Sequence, residues 1–328
     1  MSPFRTEIEI AEAAKPIGYD SKLLFIGSCF AENLGSFFKA SRFNCLINPF
    51  GVLYNPLSLG QALELMMANR EFTKADLHFH NDMWHSFYHH SRFSHVNADE
   101  CLSKMNADLK KGREFLEQTD YLFITLGTAW VYELIENQQI VANCHKYPTR
   151  HFNRFLTNPE ELIERYKDLL VKLRVFNPGL QVIFTISPVR HWKDGAHGNQ
   201  ISKAVLLLAT EKISELFDGV DYFPAYELLL DDLRDYRFYD VDMLHPGSLA
   251  IEYIREKFIA AWMNDEARRY LKDFDAIIKA KNHRPFNPAS LAHQKFLLKN
   301  LDKIEQLMKK YPAINLNEDK ADLEALLV

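Results

Sequence analysis

Near its N-terminus the chain reads Leu23-Leu24-Phe25-Ile26-Gly27-Ser28-Cys29-Phe30-Ala31. A short apolar run that ends at a glycine predicts a buried strand over residues 22–26, then a turn, then a helix over residues 31–41. Similar β-rich runs recur at Tyr121–Leu126, Gln181–Ile186 and Val220–Phe223. Helix-like segments lie between them at residues 57–69, 160–175 and 200–217. Apolar strands that alternate with helices predict an α/β fold, a three-layer α/β/α sandwich around a mainly parallel sheet.

The composition is that of an ordinary globular protein. Of 328 residues, 47% are apolar and 25% are charged, and the formal net charge of −5 does not favour nucleic acid as a partner. No apolar run reaches the roughly 18 residues of a membrane-spanning helix, and the N-terminus lacks the apolar segment of a secretory signal. The four cysteines include no C-x-x-C pair. We therefore expect no disulfide framework, no membrane partner and a cytoplasmic location.

The pattern changes after about residue 262. Residues 265–281 and 290–310 predict two long helices, separated by the breaker Arg284-Pro285-Phe286-Asn287-Pro288. We therefore expect an α/β domain over residues 1–262 and a helical C-terminal extension over residues 263–328. The extension is expected to pack on the domain or on a second copy of the chain, which would form a homodimer through these helices.

The turn Gly27-Ser28-Cys29 is the first candidate for chemistry, because ligands of open parallel sheets bind at the carboxyl ends of the strands. A strand, a glycine turn and a helix expose a side chain at a helix N-terminus. There the helix dipole favours an anion, and the pKa of a cysteine thiol can fall. The structural alternative is that Gly27 only permits the turn, Ser28 caps the helix and Cys29 is a small buried apolar residue.

A second candidate is Asp242-Met243-Leu244-His245, which runs on into Pro246-Gly247-Ser248 and an amphipathic stretch. In an Asp-x-x-His turn the carboxylate can orient the imidazole and leave Nε2 free to face a nucleophile. Together with the turn after the first strand, this motif indicates acyl-group chemistry, with His245 as the base and Asp242 as its orienting partner.

Two loops are candidates for stabilising an oxyanion. In Asn48-Pro49-Phe50-Gly51 the glycine lets the backbone approach a substrate closely, so the Gly51 N–H can face a developing oxyanion. The alternative is a pair of proline turns around a short strand. Gly127-Thr128-Ala129-Trp130 follows the strongest predicted strand, and Thr128 is expected to donate a hydrogen bond into the site.

A third loop, Ser187-Pro188-Val189-Arg190-His191-Trp192, follows another predicted strand. Arg190 can hold a carboxylate or a phosphate through two parallel hydrogen bonds, and His191 is a second acid–base candidate. The alternative is a solvated loop after a strand that ends at proline. Ser202-Lys203 is expected to begin the next helix and to act only in capping.

Six of the thirteen histidines lie within residues 77–96, namely His78, His80, His85, His89, His90 and His95. Imidazole suits zinc and its neighbours, which makes a metal site one interpretation. The spacing matches no standard zinc pattern, and this segment contains no cysteine. We therefore expect a substrate-facing loop with one or two of these histidines at the pocket, and neither a metal nor a cofactor.

Four blocks occur in the order seen in SGNH (GDSL-like) hydrolases: the turn at residues 27–31, the Gly51 loop, the Gly127 loop and residues 242–245. The first block spells the name of the GSCFA family. From about residue 20 to residue 262 the chain resembles this bacterial branch of SGNH-like proteins. The resemblance implies an SGNH/flavodoxin-like fold. It also implies acyl-ester hydrolysis or acyl transfer on an acylated carbohydrate (glycan), lipid or small metabolite.

By position, the resemblance implies that Cys29 is the nucleophile, with Ser28 as the alternative if the turn is shifted by one residue. His245 would be the base and Asp242 its orienting partner. The N–H of Gly51 and the backbone at Cys29 would be the oxyanion donors. Because a thiolate forms thioesters readily, acyl transfer competes with hydrolysis as the expected reaction.

The same resemblance shows a departure at Ala129, where SGNH hydrolases have an asparagine that donates to the oxyanion. Thr128 would have to compensate for the missing asparagine. Asn48 of the Gly51 loop and Gly127 of the Thr128 loop are also expected to lie at the substrate site. A non-catalytic ligand-binding protein on this scaffold is the main alternative function. A metal-dependent hydrolase built on the histidine-rich segment is a third.

Overall fold

The structure, a computed structural model, describes residues 5–68 and 70–327. These residues form two compact units. The first contains Lys22–Ser36 and Cys45–Glu256, and the second contains Ala11–Ser21, Phe37–Asn44 and the chain from Lys257 onward. Residue 69, the predicted end of the second helix, lies outside the described residues. The division into residues 1–262 and 263–328 stays a prediction.

The described residues contain ten strands: β1 (Lys22–Gly27), β2 (Asn44–Ile47), β3 (His78–His80), β4 (Met83–His85), β5 (Tyr121–Leu126), β6 (Trp130–Leu134), β7 (Ile140–Val141), β8 (Phe152–Leu156), β9 (Gln181–Ile186) and β10 (Val220–Phe223). Five of them form the main sheet, in the order β10-β9-β5-β1-β2. The strands β3 and β4 form a hairpin, and β7-β6-β8 form a small antiparallel sheet. The four predicted strands are therefore confirmed as members of the main sheet.

The main sheet has the predicted parallel core. The strand β5 pairs in parallel with β1 on one side and with β9 on the other, and β9 pairs in parallel with β10. All six residues of β5 are buried. Burial of successive residues means that both faces of the strand are covered, as expected for a parallel sheet between helices.

The helices of the first unit and its borders are α1 (Cys29–Ala40), α2 (Pro56–Met67), α3 (Ala98–Leu116), α4 (Pro159–Phe176), α5 (Gly195–Leu216), α6 (Ala225–Glu227) and α7 (Ser248–Trp262). On one face of the sheet, Leu24 and Leu122 belong to an apolar cluster with buried residues of α2, α3, α4 and α5. On the other face Phe25 stacks on Phe123 with ring centroids 4.4 Å apart. There Gly35 of α1 lies so close that a Cβ would sit 3.0 Å from the Phe25 ring. The three-layer α/β/α sandwich is thus confirmed.

One helix begins earlier than the sequence predicts. The helix α5 begins at Gly195 and not at residue 200, so Ser202 and Lys203 lie inside it. Both are buried, with 1% of each residue exposed. The prediction that they only cap a helix is therefore wrong, because their side chains bond to the sheet edge instead.

The second unit contains the predicted C-terminal helices, α8 (Asp265–Lys281) and α9 (Leu291–Lys310), and also a short helix α10 (Asn317–Glu324). Within this unit Asp319 pairs with two cations: its side chain is fully buried and lies 2.7 Å from both Arg42 and Lys281. Within residues 5–68 and 70–327, the helices are too short or too polar to cross a membrane. The homodimer stays a prediction.

Candidate active site

The turn after β1 is held tightly against β5. Gly27 has a φ of +133°, and a Cβ at this position would lie 2.2 Å from the carbonyl oxygen of Thr125. The same carbonyl accepts the N–H of Ser28 at 3.2 Å. On the other side, the N–H of Gly27 donates to Oδ1 of Asn48 at 2.9 Å. A glycine is needed here because any side chain would collide with the neighbouring strand.

Ser28 and Cys29 divide the two roles that the sequence left open. Ser28 is 2% exposed, and its Oγ accepts the N–H of Phe30 at 3.3 Å, as a helix cap does. Cys29 is the first residue of α1 and is only half-buried. Its Sγ lies 3.8 Å from the hydroxyl of Tyr54. The thiol therefore belongs to the more exposed of the two candidate nucleophiles, whereas the Ser28 hydroxyl is engaged at the helix cap.

Both residues line a cavity of about 210 Å³ at the carboxyl ends of the strands. The other residues of its wall are Tyr54, Ser187, Val189, Arg190, His191, Trp192 and His245. Five residues predicted from the sequence thus come together in this cavity, namely Ser28, Cys29, Arg190, His191 and His245. They come from three separate segments of the chain that the parallel sheet brings to one edge.

The base candidate is oriented by its own turn. Nδ1 of His245 lies 2.6 Å from Oδ2 of Asp242. Oδ1 of the same carboxylate accepts the N–H groups of Leu244 and His245, each at 2.9 Å. The two backbone N–H groups and then the imidazole hold the pKa of Asp242 at about 2. Because the carboxylate is ionised, Nδ1 carries the proton and Nε2 is left to accept one.

Tyr54 is a site residue that sequence reasoning missed. Its carbonyl accepts the N–H groups of Gly127 at 2.8 Å and Thr128 at 3.1 Å, which fixes its backbone. Its ring meets that of His191 edge-on at 5.5 Å. Burial first, and then the neighbouring Cys29, raises the pKa of its hydroxyl. Tyr54 therefore stays protonated and is a hydrogen-bond donor beside the thiol.

Comparison with known families identifies the scaffold. The GSCFA family matches residues 22–258. The chain belongs to the GSCFA family. A second family, the GSCFA domain protein C-terminal domain, matches residues 274–328. Among proteins with curated descriptions, none matched the sequence.

Solved structures show only distant likeness to this GSCFA protein. A Streptococcus pneumonia protein named for platelet activating factor is 14% identical, with a TM-score of 0.37 and coverage of 76% of this chain and 84% of that one. An acetyl xylan esterase from the rumen bacterium Butyrivibrio proteoclasticus is also 14% identical, with a TM-score of 0.37 and coverage of 75% and 64%. A Talaromyces cellulolyticus carbohydrate esterase of family 3 is 13% identical, with a TM-score of 0.27 and coverage of 49% and 66%.

Two predicted oxyanion donors of the GSCFA protein are already engaged. The N–H of Gly51 donates to the carbonyl of Asn48 at 2.7 Å inside its own turn. The hydroxyl of Thr128 lies 3.0 Å from that of Ser202 and accepts the N–H of Trp130 at 3.2 Å. Neither Gly51 nor Thr128 lines the cavity. The predicted oxyanion roles of these two residues are therefore not supported by the geometry.

Asn48 and Gly127 act behind the cavity wall and do not line it. Oδ1 of Asn48 accepts the N–H of Gly27 and so positions the turn that carries Ser28 and Cys29. The carbonyl of Gly127 accepts Nζ of Lys203 at 2.8 Å, and the carbonyl of Ser187 accepts the same Nζ at 2.7 Å. Lys203 thus joins the carboxyl ends of β5 and β9. Burial, and then the nearby Arg190, lowers the pKa of this buried amine to about 7.

His191 is a neutral member of the site. It lies in the cavity wall, and its backbone N–H donates to Oδ1 of Asn199 at 2.9 Å. Burial, followed by the nearby Lys203, lowers the pKa of its imidazole to about 4. The ring is therefore uncharged at neutral pH, which suits it to exchange hydrogen bonds with a ligand.

The histidine-rich segment does not form the predicted pocket wall, since none of its six histidines lines the cavity. His78 stacks on Phe87 with ring centroids 3.7 Å apart, and His89 stacks on Phe50 at 4.7 Å. Burial lowers the pKa of both His78 and His89 to about 3. Among the described residues no three His, Cys, Asp or Glu side chains are grouped to hold a metal ion. His78 and His89 therefore pack as neutral rings against aromatic neighbours.

Proposed function

We propose that this GSCFA protein carries out covalent acyl chemistry through a thioester on Cys29, as an acyl-ester hydrolase or an acyltransferase. The substrate would be an acylated carbohydrate, lipid or small metabolite. One observation carries the proposal: Cys29 and His245 line the same cavity, and Asp242 holds the imidazole with Nε2 free. A nucleophile, a base and an orienting carboxylate are the components that activated-nucleophile catalysis requires.

The reaction follows from these positions. Nε2 of His245 takes the thiol proton while Sγ of Cys29 forms a bond to the acyl carbon, and the carbonyl π electrons move to its oxygen. The tetrahedral intermediate collapses, the bond to the leaving oxygen breaks, and the imidazolium returns the proton to that oxygen. Water or an acceptor alcohol then gives a proton to His245 and attacks the thioester carbon. The second tetrahedral intermediate breaks its bond to Sγ, and the imidazolium returns the proton to the sulfur, which restores the thiol.

The developing oxyanion needs hydrogen-bond donors beside Cys29. The N–H groups of the first helical turn have no acceptor within the helix, so the backbone N–H of Cys29 is suited to this role. The hydroxyl of Tyr54, next to the sulfur, is suited to be the second donor. This pair would replace the loop donors that the sequence suggested.

Ligand binding without turnover is the second candidate function. It is favoured by the engaged donors at Gly51 and Thr128 and by Ala129, which is fully buried and has no side-chain donor. A binding protein would keep the cavity without needing an activated thiol. The reactivity of the Cys29 thiol therefore separates the two functions.

The first experiment is alkylation of the native protein by iodoacetamide over a range of pH, with each labelled cysteine located by mass spectrometry. We expect Cys29 to react at least about tenfold faster than the half-buried Cys45 near pH 6.5, because His245 in the same cavity can take the thiol proton. The variant His245→Gln should remove this advantage, and the exposed His197→Gln should keep it. Equal rates at the two cysteines, unchanged in His245→Gln, would favour ligand binding without turnover.

The second experiment identifies the acylated atom. The protein is mixed with p-nitrophenyl acetate, quenched in acid and examined by peptide mass spectrometry. Cys29→Ala should abolish the acetyl adduct, whereas Ser28→Ala should retain it because the Ser28 hydroxyl is engaged in capping α1. An acetyl group found on Ser28 would contradict the assignment of the nucleophile, and the absence of any adduct in the cavity would contradict covalent catalysis.

A further inference from the structure

We infer that the cavity takes acyl compounds that carry an anionic group, a carboxylate or a phosphate, and that Arg190 binds this group. The inference names a substrate class for the site and rests on the proposed function for the acyl part. Three features support it: the side chain of Arg190 in the cavity wall, unpaired among the described residues, the backbone hydrogen bond that joins Arg190 to the residue before His245, and the charges around the cavity.

Arg190 lies in the cavity wall without a counter-ion. In the part of the chain that the structure describes, it makes no ion pair with any carboxylate. Its Nε is inaccessible to solvent and has no hydrogen-bond partner. Buried polar groups are usually satisfied, and an orphaned donor on a cation is costly. A ligand that accepts hydrogen bonds from the guanidinium would remove this cost.

Arg154, another arginine that contacts a tryptophan ring, differs from Arg190 in having a carboxylate partner. Arg154 forms an ion pair with Asp194, and its guanidinium carbon lies 4.2 Å from the centroid of the Trp130 ring. Arg190 has the comparable aromatic contact, with its guanidinium carbon 5.3 Å from the Trp192 ring, but no carboxylate. Within the described ranges both arginines have a buried Nε without a hydrogen-bond partner, but Arg154 has a carboxylate beside it and Arg190 faces the cavity instead.

The backbone places Arg190 beside the catalytic base. The N–H of Arg190 donates to the carbonyl of Leu244 at 3.1 Å, and the next residue is His245. Because Arg190 and Cys29 line the same small cavity, an anion held by this guanidinium would share that cavity with the thiol. A planar fork of donors matches the two oxygens of a carboxylate or phosphate, which would orient the acyl carbon toward the sulfur.

The charges around the cavity agree with an anionic ligand. The nine residues of its wall include one arginine and two histidines and no aspartate or glutamate. Behind the wall, burial and then the charge of Arg190 lower the pKa of Lys203 to about 7, so two basic groups influence each other here. The carboxylate of Asp242 is directed at His245 and its own turn.

The volume limits the size of the ligand. At about 210 Å³ the cavity is smaller than the sites that enclose drug-sized molecules. It suits a short acyl group with its anion, and the remainder of a larger ester or thioester would extend into solvent. The anion is thus expected within a few bonds of the acyl carbon.

The test uses two alkylating agents that differ in charge. Iodoacetate and iodoacetamide have nearly the same size, but only iodoacetate is an anion. We expect the ratio of their rates at Cys29, iodoacetate over iodoacetamide, to exceed the ratio for free glutathione by about tenfold. Arg190→Gln should return the ratio to the glutathione value, and Arg190→Lys should keep part of the preference. Because iodoacetamide measures thiol reactivity in each variant, the ratio isolates the effect of charge.

The outcomes separate this inference from the proposed function. Rapid, His245-dependent alkylation by iodoacetamide without any preference for iodoacetate would leave the proposed function in place and overturn the anion site. If Cys29 reacts with neither reagent, the anion site is tested by ligand binding instead. Phosphate or succinate should then raise the melting temperature of the wild type and not of Arg190→Gln, with neutral succinamide as the control. The same small shift in both proteins would overturn the inference, and the more effective anion would identify the preferred group.

Discussion

Replacing Tyr54 with phenylalanine tests how this site stabilises an oxyanion. The substitution removes one hydroxyl, which lies 3.8 Å from Sγ of Cys29. It keeps the carbonyl that accepts the N–H groups of Gly127 and Thr128, and it keeps the ring that meets His191. The position of the backbone and the shape of the cavity should therefore be preserved, and the change is confined to one donor.

The expected magnitudes differ for stability and for reaction rate. A partly buried hydroxyl that contacts a sulfur contributes little to folding, so we expect the free energy of unfolding to fall by about 1 kcal/mol or less. Loss of one oxyanion donor costs about 10²- to 10³-fold in rate, or about 2.7–4 kcal/mol of transition-state stabilisation. Such a rate loss is too large to arise from the small change in stability.

Two reactions of the same sulfur separate an oxyanion donor from a structural residue. Acylation of Cys29 by p-nitrophenyl acetate passes through an oxyanion, whereas alkylation by iodoacetamide does not. Tyr54→Phe should slow acylation about 10²- to 10³-fold and leave the alkylation rate within a few-fold of the wild type. Both rates are measured by mass spectrometry on the same protein, over a range of pH that covers ionisation of the thiol.

Tyr270→Phe provides a matched control. Tyr270 is fully buried and donates its hydroxyl to the carbonyl of Ser41 at 2.9 Å in the second unit, and it does not line the cavity. This variant should lose at least as much stability as Tyr54→Phe and keep both reaction rates. Equal slowing of acylation and alkylation in Tyr54→Phe, or unchanged acylation, would refute the assignment of Tyr54 as the oxyanion donor.

Two further predictions concern the buried basic groups. Burial keeps the pKa of His89 at about 3, below its unfolded value, so stability should fall as pH drops from about 6.5 toward 3. The free energy of unfolding is measured in urea at pH 7.5 and at pH 5.5. His89→Phe should reduce its loss between these pH values by about 1.4 kcal/mol, and the control His197→Ala should leave the loss unchanged. Equal losses in the wild type and both variants would contradict the reasoning. Lys203→Met leaves the carbonyls of Gly127 and Ser187 without their donor, so we expect the free energy of unfolding at pH 7 to fall by about 2–4 kcal/mol. A change below about 0.5 kcal/mol would show that the bridge between β5 and β9 does not stabilise the fold.

The main sheet was predictable because its signal is local. The apolar runs at Tyr121–Leu126 and Gln181–Ile186 are six residues long, rich in β-branched and aromatic residues and flanked by turn residues, which favours strands over helices. The start of α5 was not predictable in this way, because Gly195 and Gly198 resemble a loop. Contacts from the rest of the fold outweigh the weak helix preference of glycine there.

The cavity was predictable in part because parallel strands present their carboxyl ends at one edge. Cys29, Arg190 and His245 each follow a predicted strand or lie in a loop at that edge, so their meeting required only the topology. The hydrogen-bond partners of individual donors could not be predicted from the topology alone. The N–H of Gly51 and the hydroxyl of Thr128 are engaged with Asn48 and Ser202, and no sequence pattern specifies such partners.

Backbone hydrogen bonds hold the loop after β5 in place without an asparagine. Ala129 has no side-chain donor, and its backbone N–H donates to Oγ of Ser202 at 2.8 Å. The N–H groups of Gly127 and Thr128 both donate to the carbonyl of Tyr54, and the hydroxyl of Tyr54 lies beside the sulfur of Cys29. The loop would thus contribute to catalysis by positioning a donor that another segment supplies. If so, shortening this loop should reduce acylation of Cys29 as strongly as removing the Tyr54 hydroxyl itself.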